Sequence, residues 1–131
     1  MPWDAFHRRE EVLRAVIAEA NTRRDGRLPL DVPGVAETFG DELALLGALQ
    51  LRWHTRLAGM IERELLDNPS DTDTAVEAAW QRAAEELVGV RAILDACAEN
   101  PTSPEMARML ATAHRKDRTL MTAMARPHLV A

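Results

Sequence analysis

Four side chains combine acid–base character with places on apolar helical faces: His54, Glu86, His114 and Asp117. Asp117 follows Leu110 and Ala113 and precedes Leu120 and Met124 at helical spacing, so a carboxylate interrupts an apolar stripe. A lone charge is costly to bury, and Asp117 therefore needs a partner. His114 stands one turn earlier, beside Leu110 and Met121. His54 shares a face with Leu51, Ala58, Ile61 and Leu65, and Glu86 borders Ala83, Val90 and Ile93.

The heights of these groups follow from counting back to the breaks, at about 1.5 Å per helical residue. His54 lies 12 residues before Leu66, and Glu86 lies 13 after Asp73. Glu86 is also 13 residues before Glu99, while Asp117 is 13 after Pro104. If neighbouring helices run antiparallel, the three side chains share one layer and His114 sits about a turn away. Two chemistries compete for that layer. One pairs the groups with arginines such as Arg82, Arg91 or Arg56, a network that fixes which helices pack together. The other makes His54, Glu86, His114 and Asp117 a metal or small-ligand site, as helix bundles do with carboxylates and histidines. The di-iron pattern requires Glu-x-x-His on two helices, and the chain contains none. The ion-pair network is the default reading, and no cofactor is expected.

Other chemistries find little support. The six glycines are scattered and form no phosphate loop, and there is no His-x-x-x-His pair. Ser70 and Ser103 are the only serines, both at helix punctuation. Cys97, the single cysteine, excludes an internal disulfide and falls among apolar positions, which reads as an inert thiol. His7 and His128 are expected to be solvated.

The elements that would hold the layer are helical. The periodicity predicts helices over about 4–24, 34–66, 73–99 and 104–125, with no β-signature. The first carries Phe6, Leu13, Ile17 and Ala20 on its stripe and stops at Asp25-Gly26. Gly40 marks off a short first turn in the second, which ends at Asn68-Pro69. Thr74-Ala75-Val76-Glu77 reads as a capping box for the third, and Ser103-Pro104 as N-cap and first residue of the fourth. Short connections imply an up-down-up-down antiparallel four-helix bundle in a single domain. Swapping the first helix onto a second subunit is the alternative topology. Trp53 and Trp80 belong in the core.

The net charge of −5, with 16 bases against 21 acids, argues against nucleic acid as a partner. No apolar run approaches the length of a membrane span, and no N-terminal signal region precedes the first helix, which points to a cytoplasmic protein. With no catalytic motif, the leading expectation is a non-enzymatic helical protein that associates with itself or with a partner protein. The surface expected to do so comprises Trp3 and the flank of the last helix, Met109 and Met121, with Leu129 in the tail. Trp3 reads either as a staple against the first helix or as an exposed anchor. Metal or small-ligand binding at the polar layer is the rival function.

Overall fold

A computed structural model describes residues 2–125. Among these residues the chain is all helical and holds no strand. It comprises α1 (Pro2–Arg23), α2 (Val35–Phe39), α3 (Glu42–Asp67), α4 (Thr72–Glu86), α5 (Val88–Glu99) and α6 (Pro104–Ala125). Four segments were expected and six helices are found, because the second and third are each divided. Among the described residues no helix is long and apolar enough to cross a membrane.

The division of the second segment falls at Gly40, whose φ of 83° an L side chain rarely adopts. Asp41 then caps α3, its carboxylate accepting from Ala44 N at 2.8 Å. At the second site α4 ends on Glu86, Leu87 leaves helical geometry (φ −113°, ψ 45°), and α5 begins at Val88. The cause lies on α1. Asn21 donates from Nδ2 to the Glu86 carbonyl at 3.3 Å and accepts from Gly89 N at 2.8 Å, serving both groups that the break releases. Gly89 lets α1 approach so closely that a Cβ there would lie 2.0 Å from the Ala20 carbonyl oxygen.

The other punctuation follows the sequence with two corrections. α1 ends at Arg23, and Arg24 (φ 52°), ahead of the expected Asp25-Gly26, takes the left-handed position after it. Ser103 Oγ accepts from Met106 N at 3.1 Å, so Ser103-Pro104 opens α6 as expected. The cap of α4 is Asp71 rather than Thr74: its side chain accepts from Thr74 N at 3.2 Å and Thr74 Oγ1 at 2.7 Å. A carboxylate accepts more strongly than a hydroxyl, and the helix starts earlier for it. These bonds hold the Asp71 carboxyl below its ordinary range.

α3 forms the centre, with Leu45, Leu46, Leu49, Trp53, Leu57 and Ile61 fully buried. It packs along α4, and the ion pairs Arg56–Glu86 and Arg82–Glu64 show that the two run antiparallel. α1 packs chiefly on α5, while α6 closes against α3, α4 and α5. The contact of α1 with α5 completes the core within the single chain described. The first turn of α1 departs from expectation: Phe6 is 66% exposed rather than part of the stripe.

Candidate functional site

Asp117 is the one buried charged residue among those described, at 8% exposure. Ser103 starts α6 in a register that turns Asp117, Leu110 and Met106 inward at intervals of four and seven residues. From α3, the consecutive-turn positions Gln50, Trp53 and His54 meet it. His54 Nδ1 lies 2.6 Å from Asp117 Oδ1. Trp53 Nε1 donates to Oδ2 at 3.0 Å, with Gln50 Nε2 at 3.4 Å from the same oxygen. A carboxylate only accepts, so Nδ1 of His54 is the donor in this contact. About a third of the His54 side chain reaches solvent.

The shared layer therefore holds in part. His54 and Asp117 meet across 63 positions of sequence. Glu86 does not join them: it stands exposed at the end of α4 and takes Arg56 Nε at 2.7 Å. α4 carries it at the expected height but with its side chain at the surface. His114 is exposed on α6 and shares a cleft of about 550 Å³ with Asp117, Gln50 and Arg91, between α5 and α6. Arginine pairing accounts for Glu86 but not for Asp117, whose partners are Trp53, His54 and Gln50. Among the described residues no group of three or more His, Cys, Asp or Glu side chains is placed to hold a metal ion.

On the other side of the Gln50–Asp117 contact lies a groove between α3 and α6, about 670 Å³ in volume. Gly47, Leu51, Met109 and Ala113 give it an apolar floor, and Leu51 is 66% exposed. The Met109 sulfur lies 3.7 Å from where a Cβ on Gly47 would stand, so the two residues meet across the groove floor. Arg108 and Lys116 border the floor, and His54 closes one end. A shallower depression continues from His54 along Thr112, Arg115, Lys116, Thr119 and Leu120. The walls of both carry cations and no carboxylate, although Arg108 pairs with Glu105 beside the groove, in a chain whose net charge is −5.

Comparisons with protein-family models, with curated proteins and with solved structures find no match.

The remaining candidates are dispersed. Met109 lies in the α3–α6 groove, whereas Met121 lines a separate depression with Val76, Trp80 and Ala125, against α4. Twelve residues at about 100° each place the two methionines roughly 120° apart around α6. Trp3 is 68% exposed and stacks edge-on against His7, with ring centroids 3.9 Å apart, so it is no staple against the core. Leu129 and His128 lie outside the described residues. Cys97 is half-buried, and its thiol is pushed up by burial and by the nearby Glu42 carboxylate, as suits an unreactive thiol.

Trp53 and Gln50 are the site residues that the sequence reading missed. The signal for Trp53 was available, since an indole N–H can only donate and needs an acceptor wherever the ring is buried. Asp117 was the one carboxylate expected on a core face of the facing helix.

Proposed function

We propose that the protein is an association module whose α3–α6 groove binds an amphipathic, acidic segment of a partner protein. One observation carries this reading: an apolar floor of exposed Leu51 and half-buried Met109, Gly47 and Ala113 is bordered by Lys116, His54 and Arg108, the last paired with Glu105, and no acid lines the groove itself. Apolar surface of this kind gains by being covered, and rim cations select the sign of what covers it. The groove follows α6 from Arg108 to Lys116, eight residues or about 12 Å, which matches two turns of a bound helix. A second copy set groove to groove would bring the same cations together, so the reading commits to a different, acidic chain. A partly four-helical frame serves this well, because α6 is held from three sides while one flank stays open. Trp3, on α1, is not part of the groove wall and is assigned no share in this binding.

A synthetic helix of about 14 residues, with a leucine stripe flanked by glutamates, is the direct probe. Titration by NMR is expected to move the signals of Leu51, Met109, Ala113 and Lys116 together. Lys116→Glu is expected to weaken binding at least tenfold while leaving the fold intact, and a lysine-flanked version of the helix is expected not to bind. Equal binding of the two helices, or none by either, defeats the proposal.

A further inference from the structure

The end of the groove holds an arrangement that mere packing of Trp53 does not require. Asp117 accepts from Trp53 on Oδ2 and takes His54 Nδ1 on its other oxygen, at 2.6 Å. The second contact fixes both the ring orientation and the tautomer of His54. Nε2, on the opposite side of the ring, has no protein partner among the described residues, and His54 lines both depressions that meet at it.

We infer that His54, oriented by Asp117, is the carboxylate-recognition group of this groove, and that it binds in its protonated form, so that association takes up one proton. This rests on the acidic-partner reading above and adds to it the atom that reads the acid. Neutral His54 offers a lone pair at Nε2, which repels a carboxylate oxygen. Once Nε2 takes a proton from solvent, the ring presents an N–H and a positive charge to that oxygen, while Nδ1–H stays on Asp117. The charged groups around it come from several elements. Asp117, Lys116, Arg115 and Arg108, the last paired with Glu105, stand on α6. Arg56 on α3 pairs with Glu86 on α4, and Arg91 on α5, paired with Asp95, lines the cleft beside Asp117. An arriving carboxylate favours the proton on Nε2, so binding and protonation are linked.

The test is the pH dependence of affinity for the leucine–glutamate helix, measured by calorimetry between pH 5.5 and 8 in two buffers of different ionisation enthalpy. Uptake of one proton limits the slope to tenfold per pH unit, and imidazoles titrate within this window. Affinity is expected to fall at least tenfold from the acid end to the alkaline end. The apparent enthalpy should differ between the buffers by the amount that one proton requires. His54→Gln keeps a hydrogen-bonding side chain without the titration and is expected to give a flat profile. Asp117→Asn can donate to Nδ1 and move the hydrogen to Nε2, and is expected to flatten the profile as well. A flat profile in the natural protein, or an undiminished slope in His54→Gln, overturns this inference and leaves the groove reading standing. A slope retained by Asp117→Asn overturns the part assigned to Asp117. Absence of binding at every pH overturns the groove reading itself, and this inference with it.

Discussion

Replacing Gly89 by alanine separates two physical effects of opposite sign. Helix propensity alone favours alanine by about 1 kcal/mol, and less near a helix start. Packing opposes it. A Cβ on Gly89 would stand 2.0 Å from the Ala20 carbonyl oxygen and 2.1 Å from its carbon. Ordinary contact between such atoms is about 3.5 Å, so α1 and α5 must separate by on the order of 1 Å. The obstacle is backbone and cannot rotate away. Separation would also strain the bond from Gly89 N to Asn21 Oδ1. Overpacking of this kind costs about 1–3 kcal/mol and sometimes more, which outweighs the propensity gain. The expected result is a net loss of about 2 kcal/mol, equivalent to roughly 8 °C in Tm for a chain of this size. Gly59 is the control, since a Cβ there meets nothing within 4 Å on an exposed face of α3. Gly59→Ala is expected to stabilise by about 0.5–1 kcal/mol. Urea unfolding followed by circular dichroism measures both. A Gly89→Ala protein as stable as the natural one would refute the close α1–α5 approach.

Asp117→Ala leaves the buried Trp53 N–H without its acceptor and is expected to cost about 2 kcal/mol. In a double-mutant cycle with Trp53→Phe the losses should fall short of additivity by about 1 kcal/mol, and strict additivity would remove the indole bond from the argument. Asn21→Ala deprives buried Gly89 N of its acceptor and should cost about 1–2 kcal/mol, with hydrogen exchange accelerating first at that amide. Glu86→Gln breaks only an exposed pair with Arg56 and should change stability by less than about 0.5 kcal/mol; a larger loss would mean Glu86 acts within the core after all. Asp31, bonded by Arg23, and Asp71, bonded by Thr74, are held below the ordinary carboxylate range in the folded protein. A lowered folded value stabilises above the ordinary range and is lost as pH falls through it. Urea midpoints should therefore drop on acidification, and Asp31→Asn with Asp71→Asn should flatten that drop.

The range of each interaction decides whether it is legible in the sequence. Local signals sufficed for Gly40 and Ser103-Pro104, because a cap or a left-handed glycine acts within four residues of itself. The break at Leu87 was not legible, since its neighbours Ala83, Ala84 and Val88 are compatible with a continuous helix. It exists because Asn21, more than sixty positions away, offers an alternative acceptor and donor. Glu86 missed the polar layer by face rather than by height: the count from Asp73 runs inside α4, and Glu86 meets Arg56, two residues from His54, with its side chain at the surface. Only the count back from Glu99 crosses the break. His54 and Asp117 met as expected because α3 and α6 are continuous through both positions. Met109 and Met121 were grouped by residue type rather than by angle, and the angle separates them.

The chemical identity of residue 117 is what distinguishes this site from an incidental polar contact. A leucine there would fill the space but strand the Trp53 N–H. An asparagine would satisfy Trp53 with its oxygen and then present either that same oxygen or an N–H to His54, never a second independent acceptor. Only a carboxylate accepts at both ends at once, on Oδ2 from Trp53 and Gln50 and on Oδ1 from His54. Stability alone does not call for this, because a fully apolar layer of phenylalanine and leucine satisfies the same core without burying a charge. What the apolar layer lacks is a means of holding a partly exposed imidazole in one tautomer at the end of a cation-rimmed groove.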